Sequence, residues 1–557
     1  MKKIMLSVVV ALGSLAAHGA TYYFSDCQAG ADTGCTAGND ANAGTSPSAP
    51  KRSLPSRALV DGLAAGDQIL LAKNGSWRSA VTAFWTGNTK GSAQNPIVIG
   101  AYAPTGYLGS AKALITLTAN DANCLTISNG GATPVHKEGF TFKSIKCVGA
   151  GGSNSSIGVF TYNDVSDVLL EDLDISGFGI GIYPGGGNAP GATTARLTLR
   201  NSHIHDNGAQ GLYGGGRGLL VEGNTFDNNG YVGEANRPAN HFHNIYLSLA
   251  TDTVLRGNTL TRSAVCNPKM KSPCTAVNQC HGVSLVIHGT ASNLIIENNL
   301  VNETTGATAG CYGIQVAPGG YGTPENFEGT IVRGNRLVNV GGVAIDMGSA
   351  PNSIVENNAI VWNTVPNSTV HGIVVPSGNA ARSTTLDKQL TIRNNSIYIA
   401  GANATSRGIV VQSPSADHQV VSNLIFFASD SSPSAACFST KGLVASNFKA
   451  FDHNLCYSDR PDHLVAHSQA HATMELAQAS GFDVNGKSAN PLIQVPNEGN
   501  GFSIALSSPM SPARNGGHPT LSSRLGQRGA KNPDASPVIG ANPFNSTVVS
   551  PSPPVAR

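Results

Sequence analysis

Short apolar runs recur along this chain, each ending in a charge, then Gly or Asn, then Asn. They read VEGNTF from Val221, LRGNTL from Leu255, IENNLV from Ile296, VRGNRL from Val332, VENNAI from Val355 and IRNNSI from Ile392. A second apolar segment follows each: NIYL at Asn244, GVSL at Gly282, GIQV at Gly313, AIDM at Ala344 and GIVV at Gly372 and Gly408, with GLY at Gly211 standing ahead of the first unit. Two short strands per unit, always in the same order and in units of 23 to 41 residues, predict an all-β solenoid, a right-handed parallel β-helix. An antiparallel sandwich has no reason to repeat one strand sequence in one order.

Two aligned columns support this reading. Asn224, Asn258, Asn299, Asn335, Asn358 and Asn395 fall at one position. Asparagine tolerates the left-handed backbone of a sharp corner, and amides stacked about 4.8 Å apart can form a hydrogen-bonded ladder. The charged column runs Lys143, Glu171, Arg200, Glu222, Arg256, Glu297, Arg333, Glu356, Arg393, alternating in sign at every step. Opposite charges on neighbouring strands attract and like charges repel, so this column is expected to fix register.

The ends differ from the middle. MKKIMLSVVVALGSLAAHGA has two lysines, an apolar run and then small residues, the pattern of a secretory signal peptide cleaved between Ala17 and Ala20. The expected organisation is signal peptide 1–20, N-terminal cap and first rung 21–94, parallel β-helix 95–460, closing region 461–545 and disordered tail 546–557. HLVAHSQAHATMELAQAS reads as a short helix within the closing region. Something must cover each end, because an open rung exposes its apolar core and a sheet edge.

Composition narrows the partners. Net charge is +2, and falls to about zero once Lys2 and Lys3 leave with the signal, so neither nucleic acid nor a membrane is an expected partner. No later stretch has about 18 consecutive apolar residues. Ten cysteines, an even number, suit a secreted or periplasmic location. Nearest-neighbour pairing gives Cys27–Cys35, Cys124–Cys147, Cys266–Cys274, Cys280–Cys311 and Cys437–Cys456. Zinc is the weaker reading of these cysteines, since they lack CxxC spacing.

The opening YYFSDCQAGADTGCTAGNDANAGTSPSAPKRSL with GDQILL, and the closing GFDVNGKSANPLI and SPMSPARNGG, resemble secreted bacterial proteins with the pectate-lyase-like parallel β-helix. The resemblance spans nearly the whole chain. It implies the fold and a polysaccharide as partner, with polysaccharide lyases, glycoside hydrolases, uronan epimerases and proteins of no known activity among the relatives. The sharper signatures depart: there is no DPH, no NTD…DD…GHG…RIK series and no WiDH-type segment. Fold analogy therefore does not choose the chemistry.

Unit length points to a place for chemistry. Asn335 to Asn358 is 23 residues, close to a bare rung, whereas Asn258 to Asn299 is 41. The excess forms a loop with Lys269 and Lys271, and the preceding unit carries a second insert with Arg237. Loops on a rigid scaffold are where function concentrates. Between them lies HFHNIYL, from His241 to Leu247. His243 is expected to align with His281, Tyr312, Val343 and His371, and outward-pointing Tyr246 with Tyr183 and Tyr213 before it and Ser284, Gln315 and Asp346 after it. In the preceding turn Asp206, Asn228, Arg262 and Glu303 align, with His205 and Asp227 one residue earlier.

These residue types suit β-elimination from a uronate, which needs a base for the proton beside the carboxylate, a donor for the developing enolate and an acid for the leaving oxygen. The expected roles are Arg262 on the carboxylate, His243 or His281 as base, and Tyr246 as acid or second base. Arg237, Lys269, Lys271, Tyr312, Gln315 and Asp346 are expected to bind substrate. The alternatives are a C5 epimerase, a hydrolase drawing carboxylates from Asp206, Asp227, Glu303 and Asp346, and a non-catalytic glycan-binding protein whose tyrosines stack on sugars. His371 is read as a strand-head residue without a functional role, and His203 and His205 as turn residues. No cofactor is required by the sequence, calcium stays open, and a monomer is expected.

Overall fold

The computed structural model describes residues 19–128, 135–151, 155–185, 194–230, 241–265, 279–303, 306–319, 325–377, 385–413, 417–460, 466–467, 473–523 and 537–541. Residues 1–18 of the expected signal peptide, the expected tail 546–557, Arg237, Lys269, Lys271 and the expected Cys266–Cys274 pair lie outside them.

Every strand-to-strand ladder is parallel, and each rung contributes one strand to each of three stacks. Sheet one runs from Thr21–Phe24 to Phe448–Asp452, sheet two from Ser76–Ser79 to Leu455–Ser458, and sheet three from Phe84–Thr86 to Ala436–Ser439. This is a parallel β-helix. The ladder begins at Thr21, well before residue 95, so the segment expected as cap and first rung already contributes strands to all three sheets. Inward residues such as Ile245, Leu285, Ile314 and Ile345 stack into one continuous core.

The corner between sheets one and two is the most regular part. Asn224, Asn258, Asn299, Asn335, Asn358 and Asn395 form the expected ladder, which continues through Asn423 and Asn454 to Asp483. Each Oδ1 accepts both the backbone N–H and the Nδ2–H of the preceding asparagine, at 2.9–3.1 Å. The second Nδ2 proton goes to a backbone carbonyl of the preceding rung, as from Asn299 to Leu255. The side chain therefore satisfies groups that a corner would otherwise leave buried and unpaired. One detail differs from the sequence reading. The left-handed residue is the one before each ladder asparagine, namely Gly223, Gly257, Asn298, Gly334, Asn357 and Asn394. That explains why Gly and Asn share that position, while only an amide serves at the next.

The charged column holds its full length, with each residue from Lys143 to Arg393 paired in register with its neighbours. Arg200, Arg256, Arg333 and Arg393 each bridge the glutamate of the preceding rung at 2.6–2.8 Å.

Both ends are closed. Val60 of the helix Arg57–Gly62 and nearby Leu63 pack against the first rungs, while Met474 and Ala477 of the helix Met474–Ala479, with Phe482, cover the last. The chain after the closing helix then turns back along the outer face of sheet two. There Ile504, Leu506, Ala513 and Ile539 pack on Val338, Val361, Tyr398 and Phe426. Disulfides join Cys27–Cys35, Cys124–Cys147, Cys280–Cys311 and Cys437–Cys456. Among the described residues no helix is long and apolar enough to cross a membrane.

The two columns should differ sharply in worth. Asn299→Ala removes the acceptor of Asn258 and the donor to Leu255 and Asn335, all buried, and is expected to cost about 2–4 kcal/mol. Arg333→Ala breaks a partly exposed ion pair and should cost under about 1 kcal/mol. Thermal unfolding of both variants beside the wild type checks the contrast.

Candidate active site on the outer face of sheet three

Sheet three presents one outward column whose chemistry changes along its length. In register it reads Trp85, Thr126, Phe160, Tyr183, Tyr213, Tyr246, Val286, Gln315, Asp346 and Val374. The rings of Phe160, Tyr183, Tyr213 and Tyr246 follow one another at 5.2–5.3 Å. That spacing is the rung repeat of about 4.8 Å plus a tilt of the rings. Trp85, 40% exposed, sits at the head of the column beside a cleft lined by Arg57, Val60 and Val81, with Arg57 over its indole.

His243 and Tyr246 do come together. Their rings stack at 5.5 Å, and His288 meets Tyr246 edge-on. Both residues are buried, and Tyr246 forms a small outer cluster with Val283 and Val286, against which Tyr213 and Tyr312 pack. Burial pushes the His243 imidazole down to about 3, so it is neutral and donates from Nδ1 to the Val283 carbonyl at 3.1 Å.

Two expected alignments shift by two residues. His243 faces Val283, then Tyr312, Val343 and His371, and His281 lies outside that column. Its Nδ1 instead lies 3.4 Å from the Thr308 hydroxyl, next to the Cys280–Cys311 disulfide. Tyr246 likewise faces Val286, while Ser284 turns inward. The cause is the corner before sheet three, where inserts of different length enter and the strands start at different distances from it.

Arg262 is also separate from this group. It stands at a left-handed corner after sheet two, where its guanidinium grips both oxygens of Asp227. Burial raises the Asp227 carboxyl, but hydrogen bonds from Arg262 and Thr261 outweigh it and keep the group ionised. His243 with Tyr246 and Arg262 thus occupy different faces, and His281 neither.

Three of the residues expected to bind substrate do converge. Gln315 Nε2 donates to Asp346 Oδ2 at 3.0 Å, and Tyr312 lies close enough to feel that charge. Burial lifts the Asp346 carboxyl to about 6, and burial with the Asp346 charge lifts the Tyr312 phenol. Asp387, which the sequence did not single out, is also buried and raised to about 6, but its carboxylate caps the Ala350 backbone N–H at 2.7 Å. Nothing in its sequence neighbourhood marks that role. His371 sits half-buried at its strand head with Arg407 on the next rung.

Glu303 points inward. Its Oε1 accepts from the Ser284 hydroxyl at 2.7 Å and the Ser263 N–H at 3.3 Å, ending a second internal polar ladder of Asn207, Asn229, Asn244 and Ser263. Among the described residues its Oε2 has no partner. Burial raises this carboxyl to about 7.

Residues 123–360 match the family model described as "Right handed beta helix region". No curated protein matches the chain. Among solved structures it is similar to an alginate lyase from Paenibacillus sp. str. FPU-7, at 15% identity over 57% of this chain and 95% of that one, TM-score 0.36. It is similar to the pectate lyase Pel9A at 14% identity over 94% and 96%, TM-score 0.38. It also resembles the tailspike protein of E. coli bacteriophage HK620 in complex with pentasaccharide, at 11% identity over 76% of each chain, TM-score 0.39. At these identities the likeness is one of fold.

Glu303 gives a pH signature. Its carboxyl titrates higher in the folded chain than the ordinary glutamate value of 4.5, so the native state loses stability as pH rises from about 4.5 through about 7. Glu303→Gln should keep the Ser284 bond without that loss. Its melting temperature is expected to exceed the wild type's at pH 8 and to match it near pH 4.5.

Proposed function

We propose that this parallel β-helix is a secreted protein that binds an acidic polysaccharide along the outer face of sheet three. It cleaves that polymer by β-elimination at the Tyr312–Gln315–Asp346 end. The observation that carries this reading is one column passing from stacked aromatic rings into a buried carboxyl raised to about 6. Aromatic faces pack on the apolar faces of sugar rings while their polar edges stay available for hydrogen bonds. Acid–base groups close to neutral pH are what proton abstraction needs.

The roles follow from the protonation states. Asp346 is mostly ionised above pH 6 and is the base that removes the proton beside the uronate carboxylate. Tyr312 stays protonated and returns a proton to the leaving glycosidic oxygen. Gln315, freed from Asp346 as substrate enters, donates its amide to the carboxylate as negative charge builds there. His243 and Tyr246 shape the adjoining binding surface, and Arg262 keeps Asp227 in place. The location is supported by the disulfides and by a leader pattern at the N-terminus.

A hydrolase is the second reading, since a raised carboxyl also suits a general acid. The two predict opposite pH limbs. As a base, Asp346 must lose its proton, so kcat/KM rises with pH through about 6; as an acid it must keep it, and the rate falls there. Purified protein is screened against acidic polysaccharides with ultraviolet detection of the unsaturated uronate and, in parallel, of new reducing ends. The expected result is unsaturated product, a rising limb near pH 6, and a loss of 10²-fold or more in kcat for Asp346→Asn, about 2.7 kcal/mol of barrier. Tyr213→Ala should mainly raise KM. Reducing ends without unsaturation would replace elimination by hydrolysis, and binding without turnover would leave only the glycan-binding surface.

A further inference from the structure

A different face carries a second cluster. The strand His203–His205 in sheet two alternates in and out, so both imidazoles project from the outer surface while Ile204 enters the core. Their rings stack at 3.9 Å with planes 18° apart. Asp174 lies directly opposite His203 on the preceding rung, also facing out. One ligand atom from each of Asp174, His203 and His205 lies within 4.8 Å of the others. His205 and Asp174 are partly open to solvent, with side-chain exposures of 17% and 20%. Among the described residues, the returning C-terminal segment covers sheet two further along, around Val338 and beyond.

The orientation of His205 is the informative feature. Its Nδ1 hydrogen-bonds Asp206 Oδ2 at 2.6 Å, which directs Nε2 toward Asp174 Oδ1, 3.2 Å away. Asp206 is itself set by a left-handed backbone and by the Asn228 amide on its other oxygen. A carboxylate on one imidazole nitrogen, with the other nitrogen turned to a second carboxylate, is the arrangement that orients metal-ligating histidines. The 3.2 Å gap is near the edge of about 3.3 Å that bonds of about 2.0 Å give in a tetrahedron.

We infer that Asp174, His203 and His205 form a binding site for a divalent transition-metal ion of the zinc class, with Asp206 as the positioning residue for His205. Two imidazoles and one carboxylate favour zinc, cobalt or nickel over calcium, which takes six to eight oxygens. The ion would sit between Asp174 Oδ1 and His205 Nε2, replacing the proton those atoms share and releasing it to solvent. Three protein ligands leave a fourth position for water or solute. Lys146, 3.4 Å from the other Asp174 oxygen, limits the negative charge around the site. The site stands apart from the proposed glycan surface and does not depend on it.

Tag-free protein is titrated with Zn²⁺ by calorimetry and with Co²⁺ by visible absorption. One ion per chain is expected, with Co²⁺ giving the bands of a low-coordinate site. His203→Ala should abolish this uptake, and Asp206→Asn, which keeps every ligand, should weaken it roughly 10–100-fold. Excess Ca²⁺ should not displace Zn²⁺. No saturable uptake, or uptake unchanged in His203→Ala, overturns the site and leaves an ion-pair network around His205. If His203→Ala fails to fold, unchanged affinity in Asp206→Asn overturns it equally.

Discussion

The hydrogen bond from one asparagine side chain to the next, buried at the corner between sheets one and two, is the constraint on which this structure rests. A parallel stack has no hairpin turns to set its register, and a slip by one residue would turn every core side chain outward. The asparagine column removes that freedom, because each amide is both acceptor for the rung before and donor to the rung after. The ladder also sets its own end. Asp483 accepts from Asn454 N and Nδ2, and as a carboxyl that burial raises to about 7 it closes the series.

Register fixed at one corner propagates unevenly. The strands of sheet one end and those of sheet two start within a residue or two of the ladder, so the charged column and the strands beside it were legible from Lys143 to Arg393. The parallel coil was legible for the same reason, but as two strands per unit: each rung has three, because the segment around each ladder asparagine holds two strands, as in Leu220–Glu222 and Thr225–Asp227. Sheet three follows a corner into which inserts of different length open, and there the alignment of His281 with His243 and of Ser284 with Tyr246 was two residues out. Within a strand, periodicity preserves in-or-out sense under a shift of two, so the error left no trace in the hydrophobic pattern, and Ser284 turns inward because it stands in the corner just before the strand at Leu285.

The candidate site was legible to a matching degree. Tyr183, Tyr213, Tyr246, Gln315 and Asp346 share an outward column because every second residue of these strands must face out. The turn column of Asp206, Asn228 and Arg262 was legible, and all three stand at the same left-handed corner, but the ion pair of Arg262 was not. Its partner Asp227 is one rung away but 35 residues back in the chain, and only the fold brings its guanidinium onto that carboxylate. The pairing of His205 with Asp174 and Asp206 was hidden likewise: Asp206 is its sequence neighbour, but Asp174 stands on the preceding rung.

Because the inward half of each rung and the asparagine corner supply the stability, the outward columns are released from packing duty. On sheet two the consequence differs along the axis. The later rungs present Val338, Val361, Tyr398 and Phe426, and the chain returns to bury them. The earlier rungs present Asp174, His203, His205, Asp227 and Arg262, whose charges pair with one another across rungs. On sheet three the outer residues change from aromatic to carboxyl, and burial there acts on a single acid that lacks a cationic partner among the described residues. The same element of fold thus gives opposite electrostatics. Cross-rung ion pairs hold Asp174 and Asp227 in their charged form, while isolation and burial move Asp346 toward neutrality. A carboxylate neutralised by a neighbour is a structural group, whereas one lifted to about 6 can exchange its proton near physiological pH. That difference is the ground for proposing acid–base chemistry on sheet three, and it leaves sheet two with ionised carboxylates and oriented imidazoles, the groups on which the proposed cation site rests.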